Sequence, residues 1–180
     1  MASSRILIAG FGGQGVLFSG KVLAYTGLVL DKEVSWLPSY GPEMRGGTAN
    51  CSVTVADEQI GSPIVSEPDI LIAMNQPSFD KYCDKTTDGS YIIYDSSLIK
   101  TDRKTTDKVK VFAIPATQLA SDYELPGLAN MIIMGKMVKE SGIFTKEQVV
   151  DAMKKVVSAK KPELLEKNIK AVEIGYDYDN

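Results

Sequence analysis

Short apolar runs separated by polar turns predict the strands of a sheet. Five of these runs are rich in branched residues and nearly continuous. They are Arg5–Ala9, Val34–Leu37, Ile70–Met74, Tyr91–Tyr94 and Val109–Ile114. Such runs are typical of strands buried on both faces of a parallel sheet. A sixth run, Ala49–Val55, alternates apolar and polar residues, which predicts one solvated face and an antiparallel or edge position.

Longer segments between the runs have the apolar spacing of helices. Val16–Leu30 is apolar on almost every side, which predicts a largely buried helix. Leu128–Lys139 carries three methionines at intervals of three, and we expect them in the core. Thr145 and Gln148 form a capping-box pattern at the start of another helix. Strands that alternate with helices predict one α/β domain over residues 1–180, with three layers and a mostly parallel, Rossmann-like sheet.

Composition and charge narrow the class of protein. An apolar fraction of 44% and a charged fraction of 24% are ordinary for a globular protein. The net charge of −3 argues against general nucleic-acid binding, which needs a basic surface. No run approaches the roughly 18 apolar residues of a membrane span, and the start of the chain lacks a signal-peptide core. We therefore expect a cytoplasmic protein that binds neither nucleic acid nor a membrane.

The chain has no histidine, and its two cysteines, Cys51 and Cys83, lie far apart in the sequence. These counts exclude a four-ligand zinc site, an iron–sulfur cluster held by this chain alone and a histidine-based triad. We expect no metal site, and no catalytic residue can be assigned. Cys51 falls on the apolar side of its strand, which predicts a buried, unreactive thiol.

A glycine loop follows the first predicted strand. Gly10, Gly12 and Gly15 match G-x-G-x-x-G between a strand and a helix, with Gly13 and Gln14 inside the pattern. The three glycines are expected to permit a tight turn, close approach of a phosphate and close helix–strand packing. The helix N-terminus attracts the phosphate. The loop predicts phosphate or nucleotide binding; a tight turn without a ligand is the alternative.

The acid that would indicate a nicotinamide cofactor is missing. An NAD site needs a carboxylate about 20 residues further on, at the end of the second strand. Asp31 lies before that strand, which ends in Trp36–Tyr40. Lys21, one to two turns into the helix, adds a cation on the phosphate side, unless it is a surface lysine whose stem covers apolar neighbours. The loop therefore suits a phosphate-rich adenylate better than a nicotinamide.

A second glycine-rich loop spans Ser39–Asn50. It contains Glu43 and Arg45 beside two glycines. Long loops of this composition are usually functional or form interfaces. Arg45 is a candidate to bind a phosphate or carboxylate; a surface ion pair with Glu43 is the alternative.

Three segments together resemble the gamma subunit of 2-oxoacid:ferredoxin oxidoreductases. They are Gly10–Val16, Ser39–Cys51 and Pro68–Pro77. The resemblance extends over nearly the whole chain, and Ser39–Cys51 is its most specific part.

The resemblance implies a role in the oxidative decarboxylation of a 2-oxoacid to an acyl-coenzyme A, with electrons passed to ferredoxin. Thiamine diphosphate and the iron–sulfur clusters are then held by partner chains, which we expect to be alpha, beta and delta subunits. This chain contributes to assembly and to the coenzyme A site, and alone it shows no turnover. The residues expected at that site are Gly10, Gly12, Gly13, Gln14, Gly15, Lys21 and Arg45.

Two other interpretations stay open. One is the small subunit of an indolepyruvate ferredoxin oxidoreductase, which performs the same chemistry on aryl substrates. The other is a stand-alone nucleotide-binding module with no role in an assembly. The identity of the 2-oxoacid is not readable from this chain, because partner subunits are expected to recognise it.

Overall fold

The computed structural model describes residues 3–39 and 48–179, which form an α/β fold. Within these ranges, six strands form one sheet. They are β1 (Ser3–Phe11), β2 (Glu33–Ser39), β3 (Thr48–Ala56), β4 (Ile70–Ala73), β5 (Ser90–Asp95) and β6 (Val109–Ile114). In the same described ranges, six α-helices and one 3₁₀ turn at Cys83–Lys85 accompany the strands. They are α1 (Val16–Val29), α2 (Gln76–Tyr82), α3 (Ala116–Asp122), α4 (Ala129–Ser141), α5 (Lys146–Val156) and α6 (Pro162–Asp177).

The strand order is β2-β3-β1-β4-β5-β6, and β3 alone runs against the others. The pairs β1–β4, β4–β5 and β5–β6 are parallel. The predicted α/β class and mostly parallel sheet with one antiparallel strand are therefore confirmed.

Two details of the prediction are wrong. Strand β3 is antiparallel, which was one of the two predicted alternatives, but it lacks the predicted solvated face, because its polar residues Ser52 and Thr54 are buried. The backbone N–H of Val65 donates to Ser52 Oγ at 3.4 Å, so the segment after β3 covers this face. The sheet edge is instead β2, which was expected to be buried on both faces, and its Trp36 and Leu37 are exposed.

Helices cover both faces of the sheet, and alternate strand residues face two separate apolar clusters. Ile6 and Ile8 of β1 face the larger cluster, to which α1 and α4 contribute. Leu7 faces the smaller cluster, to which α2 contributes Phe79. On the larger side, α5 packs on α1, and α6 packs on α4. The three methionines of α4 are fully buried, as predicted.

The connections after β1 and β4 leave the sheet on opposite faces. The chain goes from β1 to α1 on one side and from β4 to α2 on the other. Because β1 and β4 are adjacent, their carboxyl ends form a topological switch point. Open α/β sheets bind ligands in the crevice at such a point.

Candidate functional site

The glycine loop lies at this switch point, between β1 and α1. The backbone N–H of Gln14 donates to the carbonyl of Phe11 at 3.2 Å and closes a turn. Gly10, which was expected to form the tight turn, lies within β1. The turn itself therefore comes after Gly10, at Phe11–Gln14.

The side chain of Gln14 joins the loop to the neighbouring strand. Its Oε1 accepts a hydrogen bond from the backbone N–H of Phe11 at 2.6 Å, and its Nε2 donates to the carbonyl of Met74 at 3.1 Å. A Cβ at Gly10 would lie 2.6 Å from Gln14 Oε1 and 3.0 Å from Met74 Cβ. Gly10 therefore leaves room for the Gln14 side chain, and Gln14 holds the loop against the end of β4.

Gly15 begins α1 in a left-handed conformation, with φ of 74°. A Cβ there would overlap the amide of Asn130 at the start of α4. Asn130 is buried, and its Nδ2 donates to the carbonyl of Gly15 at 3.1 Å and to Ser19 Oγ at 3.2 Å. Gly15 thus permits close packing of α1 against α4. The prediction had been that it permits close packing of the helix against the strand. Sequence reasoning did not find Asn130, because no local pattern marks it.

Within the part of the chain that the structure describes, the first turn of α1 is open to an anion. Among residues 3–39 and 48–179, no side chain caps its N-terminus, and the first turn itself contains no acidic residue. The free N–H groups and the partial positive charge of a helix N-terminus attract phosphate. Gly13, with φ of 91°, has no atom of the described residues within 4 Å of the position of a Cβ. No other described residue therefore fills the space in front of Gly13, beside the helix N-terminus.

Two cavities meet at the glycine loop. The larger, of about 530 Å³, lies at the ends of β1 and β4 and is lined by Gly13, Gln14 and Met74, with α3 and the segment after it on the far side. The smaller, of about 280 Å³, is lined by Gly12, Gly13 and the first turn of α1, including Leu17 and Phe18. Gly13 borders both. The loop thus forms a wall between an apolar crevice and the helix N-terminus.

The far wall of the larger cavity is fixed by Asp95 at the end of β5. Asp95 is fully buried and accepts hydrogen bonds from Thr117 Oγ1 at 2.6 Å and from the Thr117 backbone N–H at 3.1 Å. These bonds hold the start of α3. Glu124, after α3, also lines this cavity and has a left-handed φ of 56°. A left-handed conformation costs about 1–2 kcal/mol for a residue other than glycine.

The structure describes one of the two predicted cations, Lys21. Lys21 is exposed on α1, in its second turn, and lines neither cavity. Arg45 lies outside the described residues, as does most of the second glycine-rich loop. The structure therefore brings together Gly12, Gly13 and Gly15 with the N-terminus of α1, and it leaves Lys21 to one side.

The two cysteines are buried. Burial raises the pKa of Cys51 to about 12, and hydrogen bonds from Trp36 and the backbone of Gly20 lower it by less. The predicted burial of Cys51 is confirmed. In residues 3–39 and 48–179, no group of three or more Cys, Asp or Glu could hold a metal ion. Within the same ranges, the helices are too short or too polar to cross a membrane.

Sequence comparison finds relatives over almost the whole chain. A family model described as pyruvate ferredoxin/flavodoxin oxidoreductase matches residues 5–178. Ketoisovalerate oxidoreductase subunit VorA of Methanothermobacter thermautotrophicus is 37% identical over 174 residues, which cover 97% of this chain but 36% of VorA. The 2-oxoglutarate synthase subunit KorC of Methanocaldococcus jannaschii is 36% identical, covering 96% of this chain and 92% of KorC. The chain thus spans little more than a third of VorA and nearly all of KorC.

Solved structures share the fold. The gamma subunit of a keto/oxoacid ferredoxin oxidoreductase from Geobacter sulfurreducens PCA superposes with a TM-score of 0.79 at 28% identity, covering 97% of this chain and 96% of that chain. The 2-oxoglutarate:ferredoxin oxidoreductase from Magnetococcus marinus, solved with 2-oxoglutarate, coenzyme A and succinyl-CoA, superposes with a TM-score of 0.84 at 22% identity. That match covers 97% of this chain and 30% of the other.

Proposed function

Since the chain belongs to the pyruvate ferredoxin/flavodoxin oxidoreductase family, we propose that it is the gamma subunit of a multi-subunit 2-oxoacid:ferredoxin oxidoreductase. The enzyme decarboxylates a 2-oxoacid oxidatively, transfers the acyl group to coenzyme A and passes the electrons to ferredoxin. The observation that carries this proposal is the match to KorC, which is similar in length to this chain and aligns with it almost end to end.

The redox and thiamine chemistry belongs, in this proposal, to alpha, beta and delta partner subunits. Two cysteines and no histidine cannot supply the four ligands of an iron–sulfur cluster. The chain acts as one domain over residues 1–180, supplies part of the scaffold and has no turnover alone.

This chain contributes part of the coenzyme A site through the glycine loop. The uncapped N-terminus of α1 suits a phosphate of the nucleotide, and the larger, mostly apolar cavity beside Gly13 suits a less polar part of the same molecule. Gly10 and Gln14 act by shaping the loop. The structurally related Magnetococcus marinus enzyme also binds coenzyme A, which agrees with this assignment.

Lys21 completes the phosphate site from the exposed side of α1. Its flexible stem can carry the ammonium toward the first turn, where a phosphate binds. Arg45 joins it from the second loop. A charge-assisted hydrogen bond contributes about 1.5–3 kcal/mol, so removal of one such cation weakens binding roughly tenfold or more.

Coenzyme A binding to the co-expressed complex tests this assignment. Calorimetry should give a Kd for Lys21→Ala roughly tenfold above that of the wild type. Lys108→Ala is the matched control, because Lys108 is exposed and lies just before β6, at the amino end of the strands. Equal affinity in Lys21→Ala and wild type would remove Lys21 from the site.

Reduction of ferredoxin by the co-expressed complex tests the proposed activity. We expect coenzyme A-dependent turnover with one of 2-oxoglutarate, 2-oxoisovalerate and pyruvate, and none by the isolated chain. Turnover with indolepyruvate alone would identify the aryl-substrate enzyme. A chain that stays monomeric beside its candidate partners would instead be a stand-alone nucleotide-binding module.

A further inference from the structure

Glu124 follows α3 in a backbone conformation that glutamate rarely adopts. The backbone N–H of Glu124 donates to the Ser121 carbonyl at 3.1 Å, and that of Leu125 donates to the Ala120 carbonyl at 2.8 Å. These two bonds form a Schellman motif, in which the residue with a left-handed conformation is usually glycine. Glu124 has this position, with φ of 56°, although glycine would adopt it without a steric cost. The end of α3 is therefore strained.

The ends of two other helices show how this strain is normally avoided. Asp31 after α1 and Gly142 after α4 are also left-handed, with φ of 55° and 63°. Glycine has no Cβ, and the short side chain of aspartate bonds to nearby backbone, so both types are common in this conformation. Glutamate has neither property. Strained residues of this kind cluster at ligand-binding and active sites, where the side chain has a use that offsets the strain.

The Glu124 carboxylate lies at the larger cavity beside the glycine loop. Glu124 lines this cavity together with Gly13, Gln14 and Met74. Within residues 3–39 and 48–179, its carboxylate makes no hydrogen bond or ion pair, and no other ionisable residue lines the cavity. An apolar cavity with one polar group suits a largely apolar ligand that donates a hydrogen bond to that group.

The charge of Glu124 determines which part of a nucleotide the cavity accepts. A carboxylate repels phosphate groups, so the phosphates of a ligand remain on the side of the N-terminus of α1. Gly13 lines both the larger cavity and the smaller cavity at that N-terminus. One molecule that crosses Gly13 can therefore place its phosphates at α1 and an uncharged group beside Glu124.

The chemistry of coenzyme A identifies this uncharged group. Its diphosphate joins a 3′-phosphorylated adenosine to a pantetheine arm that ends in the reactive thiol. In the proposed function the thiol reacts at thiamine diphosphate on a partner subunit, so the pantetheine arm has to leave this chain. The adenine base remains, and its 6-amino group is a hydrogen-bond donor.

We propose that the adenine of coenzyme A lies in the larger cavity and donates a hydrogen bond from its 6-amino group to the Glu124 carboxylate. This inference rests on the proposed function, and it makes Glu124 a specificity residue for the base. Removal of a hydrogen bond to a charged group weakens binding roughly tenfold or more.

The walls of the cavity suit the faces of the base. Met74, Leu98, Ala120 and Pro126 supply apolar side chains to them. Leu98 is 43% exposed, so a base that lies against it removes apolar surface of both groups from water. Apolar walls alone discriminate weakly between similar bases, whereas a polar group left unpaired discriminates strongly. The walls thus supply affinity, and Glu124 supplies the choice of base.

A double-mutant cycle on the co-expressed complex tests the proposal. The two ligands are coenzyme A and an analogue in which purine, without the amino group, replaces adenine. Calorimetry should show that the wild-type complex binds coenzyme A roughly tenfold or more tightly than the analogue. Glu124→Ala should bind both ligands equally, with the wild-type Kd for the analogue. Glu166→Ala is the matched control, because Glu166 is exposed on α6 and lines neither cavity of the site; it should keep the wild-type ratio.

Glu124→Gly separates the effect on the ligand from an effect on folding. This variant removes the strain together with the carboxylate, so it should unfold at a higher temperature than the wild type and still bind both ligands equally. Circular dichroism checks that all variants are folded. A carboxylate that only stabilises the turn would leave the ratio of the two Kd values unchanged.

The outcomes also separate this inference from the proposed function. If the wild-type complex binds coenzyme A but does not distinguish it from the analogue, the inference alone fails. Equal weakening of both ligands in Glu124→Ala would place another donor of the ligand at Glu124 and would also overturn it. A wild-type complex that binds no coenzyme A overturns the proposed coenzyme A site and this inference together.

Discussion

Replacement of Gln14 tests whether its side chain shapes the glycine loop or contacts the ligand. Both polar groups of its side chain are bonded within the protein, to the Phe11 backbone N–H and to the Met74 carbonyl. If this bridge is its role, Gln14→Ala should lower the stability of the chain and the affinity for coenzyme A together. The loop loses its attachment to β4, and the phosphate site loses its shape.

The magnitude follows from the two bonds. A hydrogen bond within a protein contributes about 1 kcal/mol net, and an acceptor left unpaired in the interior costs about 1–3 kcal/mol. Met74 is 1% exposed, so its carbonyl is such an acceptor unless water reaches it. Gln14→Ala should therefore lower the free energy of unfolding by about 2–3 kcal/mol. For a chain of 180 residues, this corresponds to a fall in Tm of roughly 5–10 °C.

Thermal unfolding of the purified chain and calorimetry of the complex supply the two measurements. Gln76→Ala is the control, because the Gln76 amide also makes two hydrogen bonds, to Asp80 and to the Lys100 backbone N–H. Both of these bonds are exposed, so the loss of stability should be smaller, and coenzyme A affinity should not change. Gln14→Glu removes the donor to Met74 and should also destabilise the chain.

One result would refute this reasoning. If Gln14→Ala leaves Tm within a degree of the wild type and still weakens coenzyme A binding tenfold, the side chain acts on the ligand and not on the loop. A fall in Tm without any loss of affinity would show instead that the loop does not take part in binding.

Three further substitutions test other parts of the structure. Gly15→Ala should lower the free energy of unfolding by at least about 1–2 kcal/mol in urea denaturation, because the left-handed φ and the Asn130 amide both oppose a Cβ; an unchanged midpoint would contradict the packing. Glu124→Gly should raise it by up to about 1 kcal/mol by removing the left-handed strain, and a loss of stability would mean that the carboxylate has a structural partner. Burial raises the pKa of the Asp69 carboxyl, but hydrogen bonds from Arg5 and from a threonine outweigh this effect and hold the pKa below its usual value. The contribution of the Asp69 carboxylate to the free energy of unfolding should be complete above about pH 5 and lost as the pH falls below about 4. Asp69→Asn should therefore flatten the acid limb of the stability–pH curve. An unaltered limb would show that this carboxylate does not contribute to the pH dependence of stability.

Elements defined by their own sequence were predictable. The capping box at α5 is formed as expected: Thr145 Oγ1 accepts from the Gln148 N–H at 3.2 Å, and the Thr145 N–H donates to Gln148 Oε1 at 2.9 Å. Both partners lie within one turn, so four residues contain all of the information. α3 has no such signal, because the carboxylate that binds its first turn is Asp95, 22 residues before Thr117.

The same limit applies to the candidate site. The pattern of glycines located the loop, but not the reasons for each glycine. Gly15 is required by Asn130, which is 115 residues away in the sequence. A glycine is required at position 10 because the Gln14 side chain lies where a Cβ would be, and the Gln14 amide donates a hydrogen bond to Met74, 60 positions further on. Contacts of this kind depend on the order of the strands, which the sequence pattern did not define.

The wrong prediction for β2 has a parallel in α1, where part of an apolar helix is also exposed. An apolar run in the sequence indicates that a strand or helix is shielded from water. It does not indicate whether the shielding residues belong to the same chain or to another one. Val34–Leu37 and Val16–Leu30 both have compositions that predict burial, yet Trp36 and Leu28 are exposed in the chain alone. The sequence is therefore consistent with burial in an assembly.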